Sequence, residues 1–143
     1  MASVIQPIFV LTKVSIDTII DMDRPTHKEI NRKIKQAKEA VSENRISVLN
    51  PVSVAADTLE LGINLRNISD ILNDLLGEIK PNDYVGQYPP QRSYEDEIKD
   101  CELLAFRWLS EKLGCRVYLK FTFEEDKFWL VSLHEDRKEA GGG

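Results

Sequence analysis

The chain has 143 residues, of which 42% are hydrophobic and 30% are charged. These fractions are ordinary for a globular protein and exclude a disordered chain, and the length suits one domain with its own core. The formal net charge of −5 argues against a simple nucleic-acid-binding protein, which needs a concentrated basic patch. An acidic protein can still carry a local basic patch, so the charge does not exclude an enzyme that acts on RNA.

The start of the chain is apolar but short. The run Val4–Val10 is followed by Lys13 and Asp17, whereas a membrane-spanning helix needs about 18 or more apolar residues. The start also lacks the basic residues and the cleavage site of a secretory signal. We therefore expect a cytoplasmic protein with no membrane segment.

A break at Asp23–Thr26 separates this start from the rest of the chain. Residues 1–23 are predicted to be an N-terminal extension, with a strand over residues 4–11 and a short helix over residues 15–22. We predict one domain over residues 24–140 and a flexible tail at Gly141–Gly143.

Three stretches of the first half have apolar residues at helical spacing. The predicted helices cover His27–Glu43, Val52–Leu61, and a stretch from Asn64 or Asn67 to Leu76. Thr26 and Glu29 predict a capping box at the first helix, and Gly62 and Gly77 are predicted to end the second and third. A short strand is predicted over Arg45–Leu49.

Two polar features of this region have both a structural and a functional interpretation. The basic residues of the first helix form either a solvated face or an RNA-facing patch; they are Lys28, Arg32, Lys33, Lys35 and Lys38. The loop Lys80–Tyr94 carries Tyr84, Tyr88 and Tyr94, which either pack within the loop or stack on RNA bases.

The last third of the chain predicts a short antiparallel β-meander. Arg116–Phe123 alternates between apolar and polar residues, and Lys127–His134 is its hairpin partner. Glu102–Leu109 fits a strand better than a helix. A loop spanning Glu111–Gly114 then places Arg107 beside Tyr118.

The register of the hairpin can be predicted from its faces. A two-residue turn at Glu125-Asp126 would pair Tyr118 with Leu133 and put an apolar side chain on the polar face. We therefore predict an odd-length loop, so that the most apolar residues of the second strand face the core. The core residues would be Trp129, Val131 and Leu133. The polar face would then hold Tyr118, Lys120, Ser132 and His134.

The stretches VYLKFTF and FWLVSLHEDR (Val117–Phe123 and Phe128–Arg137) resemble the C-terminal hairpin of MqsR-type toxins. Upstream, PTHKEINRKIKQAKEAVSENRISV is similar to the family's opening helix and first strand, and ADTLELGINLRNISDILNDL to its second helical pair. IKPNDYVGQY resembles the segment around its Asp-Phe-Tyr-Lys motif. The resemblance covers residues 24–138 and implies a RelE-like α+β fold, metal-independent cleavage of mRNA, and an antitoxin that binds and silences the enzyme.

The resemblance also assigns roles to single residues. The family's strand tyrosine falls on Tyr118, its next lysine on Lys120, and the lysine after its last strand on His134. The family's loop lysine falls near Gly86, so that basic group is missing here. The nearest candidate for the family's Trp-Gln motif is Phe106-Arg107-Trp108.

Metal-free RNA cleavage needs a base, an acid and cations that stabilise the charge on phosphorus. We predict His134 as the proton carrier, since histidine titrates near neutrality, with Lys120 and Tyr118 as the other catalytic residues. The structural alternative for His134 is a surface histidine at a strand end. The predicted RNA-binding residues are Arg107, Arg116, Arg137 and Tyr84.

We predict neither a metal nor another cofactor. His134, Glu135 and Asp136 are adjacent on a strand and point to alternate faces, which disfavours a metal site. Cys101 and Cys115 are expected to be buried reduced thiols.

The sequence thus predicts an α+β domain with helices packed on a small antiparallel sheet. Its predicted function is that of a metal-independent endoribonuclease toxin. Its expected partners are a cognate antitoxin and mRNA, free or on the ribosome. One alternative is a non-catalytic protein-interaction module with the same fold, which the acidic charge and the missing lysine favour. The other is a regulatory partner in a toxin–antitoxin complex.

Overall fold

The structure is a computed structural model that describes residues 24–136. The helices are α1 (His27–Ser42), α2 (Pro51–Glu60) and α3 (Ile68–Glu78). The strands are β1 (Ile46–Val48), β2 (Leu104–Ser110), β3 (Cys115–Glu124) and β4 (Lys127–Glu135). The predicted extension of residues 1–23, with its strand and helix, lies outside the described residues, as do the tail Gly141–Gly143 and Arg137.

The four strands form one mixed sheet in the order β1-β4-β3-β2. The α+β class and the C-terminal meander are confirmed, because β2 pairs with β3 and β3 with β4 in antiparallel fashion. The prediction of a purely antiparallel sheet was wrong, since β1 runs parallel to β4, with Ile46 opposite Phe128. Tight turns make the β2–β3 and β3–β4 pairings antiparallel. No hairpin joins β1 to β4, so no local turn determines the relative direction of these two strands.

The helix ends follow the expected capping chemistry with two exceptions. The Thr26 hydroxyl accepts a hydrogen bond from the Glu29 amide at 3.1 Å, as an N-cap does. The Glu29 carboxylate binds Arg24 rather than completing a capping box. Gly62 follows α2 with a φ of +75°, as predicted, but Gly77 lies inside α3, which continues to Glu78.

The core lies between the helices and the apolar face of the sheet. Ile30 of α1 and Leu72 of α3 are fully buried in the same cluster as Phe121 of β3. The Phe121 ring stacks on Phe106 at 5.6 Å and on Phe128 at 4.8 Å. Each such buried side chain stabilises the fold by roughly 1.5–3 kcal/mol. Within residues 24–136, no helix is both long enough and apolar enough to span a membrane.

The hairpin between β3 and β4 has a two-residue turn, which the sequence analysis had rejected. Glu125 and Asp126 both have positive φ, and Glu124 pairs with Lys127 across them. Turns of this kind are usually marked by Asn-Gly or Asp-Gly, so two acidic residues gave no signal of the loop length.

A β-bulge after the turn corrects the register. Phe121 pairs with Leu130, but the next residue, Lys120, pairs with Ser132 rather than with Val131. The bulge accommodates Val131 as one extra residue in β4. Beyond the bulge, Tyr118, Lys120, Ser132 and His134 therefore share one face, as predicted. The cause is the bulge rather than the predicted odd-length loop.

The same bulge changes which residues of β4 face the core. They are Phe128, Leu130 and Leu133, all fully buried. The prediction of Trp129, Val131 and Leu133 was therefore wrong for the first two, which are only partly buried. The cysteines are free as predicted, but Cys101 and Cys115 are half-buried rather than fully buried.

Glu78, at the end of α3, attaches that helix to the β2–β3 turn. Its carboxylate accepts hydrogen bonds from Trp108 Nε1 at 2.8 Å, from the Ser110 hydroxyl at 2.7 Å and from the Lys112 amide at 2.8 Å. Burial raises the pKa of the Glu78 carboxyl, but these hydrogen bonds outweigh burial and hold the pKa below its ordinary value.

We expect Glu78→Gln to lower the free energy of unfolding by about 1–3 kcal/mol at neutral pH, measured by urea denaturation. The folded-state pKa is depressed, so the carboxylate stabilises the fold above the ordinary glutamate pKa of about 4.3. This contribution is lost as the pH falls through the lower folded-state value, and the difference from wild type should therefore shrink there.

Asp74→Asn is the matched control, because Asp74 lies on the same helix and pairs with the Lys112 side chain at 3.2 Å in a half-exposed contact. Loss of this ion pair should lower the free energy of unfolding by less than about 1 kcal/mol. Equal losses in the two variants would show that the Glu78 hydrogen bonds carry no special share of the stability.

Candidate functional site

Three polar side chains form a row across the central strands. Arg107 of β2 pairs with Tyr118 of β3, which pairs with His134 of β4. The rings of Tyr118 and His134 stack with centroids 5.1 Å apart and planes 3° apart. The Arg107 guanidinium carbon lies 5.7 Å from the Tyr118 ring centre, in cation–π range. The predicted juxtaposition of these three residues is therefore confirmed.

The row forms part of the wall of an open cavity of about 510 Å³. The helix α2 packs along β4 and contributes Asp57 and Glu60 to this cavity, while Glu135 and Asp136 contribute two more carboxylates. Asp57 and Glu60 were not among the residues predicted for this site from the sequence. Their spacing of three residues on a helix was a signal for a shared face, but nothing local indicated that the face turns toward His134.

Asp136 is the central charge of this wall. Its side chain is only 3% exposed, and its Oδ2 lies 2.6 Å from Nε of Arg107 and 4.0 Å from Nε of Arg116. The sequence analysis considered Asp136 only as a metal ligand and missed this role. Arg107 and Arg116 were predicted to bind RNA, yet both are directed at this buried carboxylate. The contact between Asp136 and Arg107 uses Nε of the guanidinium.

The contacts of His134 and Tyr118 bear on their hydrogen-bonding roles. Nδ1 of His134 lies 3.0 Å from the Glu135 carbonyl oxygen. Since a carbonyl only accepts hydrogen bonds, Nδ1 is the donor in this contact, and in the neutral ring Nε2 then holds the free lone pair. Burial raises the pKa of the Tyr118 phenol; Arg107 opposes this shift, and Asp136 adds to it. Tyr118 is therefore a neutral hydrogen-bond donor at physiological pH.

Lys120 lies next to the row but opens onto a different cavity. It pairs with Ala105 on one side and with Ser132 on the other. The second cavity has a volume of about 360 Å³ and shares Asp57 with the first. The three predicted catalytic residues thus share a face, but Lys120 is separated from the cavity that His134 and Tyr118 line.

Tyr84 does not belong to this site. Its side chain is 6% exposed and packs on Phe106 at 5.8 Å, while its hydroxyl donates to the Gln87 carbonyl at 2.6 Å. The Tyr84 ring is therefore part of the core and is not exposed for the predicted stacking on an RNA base. A Cβ atom at Gly86 would lie 2.5 Å from the Tyr84 hydroxyl, so the buried ring excludes a lysine at that position.

The basic residues of α1 are separated from the site. Their helix packs on the apolar face of the sheet, whereas the row lies on the opposite face. Lys33 is half-buried, with Nζ 5.6 Å from the Phe123 ring centre, and the other four are exposed. The α1 lysines therefore do not extend the cavity.

Residues 24–136 contain no group of three or more potential ligand side chains arranged for a metal ion. The sequence itself matches no protein-family model, and no curated protein is significantly similar to it.

We expect Asp136→Asn to lower the free energy of unfolding by about 2 kcal/mol in urea denaturation followed by tryptophan fluorescence. The substitution removes the negative charge that Arg107 and Arg116 face. Glu135→Gln serves as the control, because Glu135 lines the same cavity and is only half-buried, and we expect a change within about 0.5 kcal/mol. Unchanged stability in the Asp136 variant would contradict a structural role for this carboxylate.

Proposed function

We propose that this chain is a metal-independent endoribonuclease of a toxin–antitoxin pair, with a RelE-like fold. The proposal has mRNA as its substrate, free or on the ribosome in the cytoplasm, and a cognate antitoxin as its inhibitor. The observation that carries it is the Arg107–Tyr118–His134 row in the wall of a cavity. Metal-free cleavage of RNA requires a base, an acid and a cation, and an imidazole, a neutral phenol and a guanidinium are groups that can take these roles.

The proposed reaction moves one proton from the RNA to the enzyme and one from the enzyme to the RNA. Nε2 of His134 takes the proton of a 2′-hydroxyl, and the 2′-oxygen forms a bond to the adjacent phosphorus. The bond from phosphorus to the 5′-oxygen breaks, and the phenol of Tyr118 gives that oxygen a proton. The products are a 2′,3′-cyclic phosphate and a free 5′-hydroxyl, and solvent restores the protons of both side chains.

In the proposed mechanism, two cations stabilise the charge that develops on phosphorus. The terminal nitrogens of Arg107 can contact phosphate oxygens in a bidentate manner while Nε contacts Asp136. Lys120 lies two residues from Tyr118 on the same face of β3, about 7 Å along the strand. In this proposal Lys120 stabilises the charge of the phosphate from the neighbouring cavity, because it does not belong to the row.

The charge of the cavity supports a second candidate function. Four carboxylates and one arginine line the cavity at the row, and Gly86 replaces the family's loop lysine. Such a lining attracts a cationic peptide and repels phosphate. This observation favours a non-catalytic module that binds a basic segment of another protein, a role that includes the regulatory partner in a toxin–antitoxin complex.

Incubation of the purified protein with total RNA in EDTA tests the proposed enzyme. We expect cleavage to persist in EDTA and to produce 5′-hydroxyl ends. His134→Ala and Lys120→Ala should each slow cleavage by roughly 10²-fold or more, because each removes a group that acts in the transition state.

His27→Ala and Lys38→Ala are the matched controls, since both residues are exposed on α1, on the far side of the sheet. They should cleave at the wild-type rate. If folded wild-type protein leaves RNA intact, with and without ribosomes, the enzyme proposal fails. Binding of a lysine-rich peptide that Asp57→Asn weakens would then support the module.

A further inference from the structure

A second cavity continues the polar face of the sheet away from the row. It has a volume of about 360 Å³, and it shares Asp57 with the cavity at His134. Its lining residues include two cations, Lys120 and Arg92, together with Ser132 and Tyr94. Its volume is that of a site for a small ligand, and its polar groups are of the kind that hold a phosphate.

Tyr94 is the unusual member of this lining. It is 89% exposed, whereas Tyr84 of the same loop is buried. The backbone around it is nevertheless held in place: the Ser93 amide donates to the Cys101 carbonyl, and the Asp100 amide donates to the Ser93 carbonyl, both at 2.9 Å. A large exposed ring on a fixed backbone loses little conformational entropy when a flat partner stacks on it.

The chemistry of the lining indicates which flat partner fits. Lys120 and Arg92 are two cations in the lining of the cavity, and the exposed Tyr94 borders the same cavity. A nucleotide carries both a phosphate and a stacking base, and only an unpaired nucleotide exposes its base in this way. Asp57 and Glu95 balance the two cations formally, so charge alone does not select the partner, and the aromatic residue beside two cations is what favours a nucleotide over a basic peptide.

We infer that this second cavity binds one unpaired nucleotide of the RNA, with its base stacked on Tyr94 and its phosphate held by Lys120 and Arg92. The inference rests on the proposed ribonuclease function, because it assigns the nucleotide next to the cleaved bond. It makes single-stranded RNA the substrate class. Because every base has a stacking face, the subsite selects for unpaired RNA rather than for a particular base.

The test measures binding separately from cleavage. A fluorescein-labelled 2′-O-methyl RNA hexamer lacks the 2′-hydroxyl that the proposed reaction needs, so it is bound but not cut. Fluorescence anisotropy with the full chain should give a dissociation constant that Tyr94→Ala raises about 5- to 100-fold and that Tyr94→Phe leaves unchanged. The same hexamer annealed into a duplex should bind the wild-type protein no more tightly than the single-stranded hexamer binds Tyr94→Ala.

Tyr88→Ala is the matched control, since Tyr88 is an exposed tyrosine of the same loop that does not line the cavity. It should bind like wild type. A series of hexamers, each with one abasic position at a different place in the strand, should locate the stacked base. For one hexamer of the series, wild type and Tyr94→Ala should have the same dissociation constant.

The outcomes separate this inference from the ribonuclease proposal. Tyr94-dependent binding of the hexamer supports the subsite even if natural RNA is never cleaved. The inference is overturned if wild type does not bind the hexamer, or if Tyr94→Ala and Tyr88→Ala bind alike, even where natural RNA is cleaved. It is also overturned if Tyr94→Ala weakens binding of a protein partner but not of RNA.

Discussion

The pairing of β3 with β4 is the constraint on which both the core and the candidate site depend. Because side chains alternate along a strand, a shift of one residue would exchange the two faces of the sheet. Starting from its two-residue turn, a regular ladder would place Leu133 beside Tyr118 and turn an apolar side chain toward the cavity. The bulge at Val131 keeps Leu133 buried and brings His134 opposite Tyr118. One extra residue in β4 therefore satisfies hydrophobic burial and assembles the polar row at once.

Charge is distributed unevenly around this sheet. On the polar face, the buried Asp136 faces Arg107 and Arg116, while α2 adds Asp57 and Glu60 at the rim. The exposed lysines of α1 lie beyond the opposite face. The cavity at the row therefore carries four carboxylates against one arginine, so stacking of bases would be a larger part of any affinity for RNA than charge.

The loop that precedes β2 shows how packing decides which side chain a position can carry. Tyr84 turns inward onto Phe106, and its hydroxyl occupies the space that a side chain at residue 86 would need. Gly86 is therefore required by the buried tyrosine, and the basic group that the resemblance implies at this position cannot be accommodated. The same loop instead exposes Tyr94 and Arg92 at the second cavity, so its aromatic and cationic groups lie at a different place on the polar face.

The sequence by itself determined the elements and much of their pairing. Apolar spacing predicted α1, α2 and α3, Thr26 and Gly62 marked helix ends, and alternation with the loop at residues 111–114 placed Arg107 beside Tyr118. These features depend on local periodicity and turn chemistry, which a sequence shows directly.

Only the tertiary structure decided the parallel docking of β1, the carboxylates that α2 brings to the cavity, and which tyrosine of the loop is buried (Tyr84) and which is exposed (Tyr94). Each of these depends on which residues distant in sequence pack together. The bulge belongs with them, because burial of Leu130 and Leu133 against the helices, rather than any signal in the turn, selects it. No local pattern records such contacts, since their energy comes from the packing of the whole core.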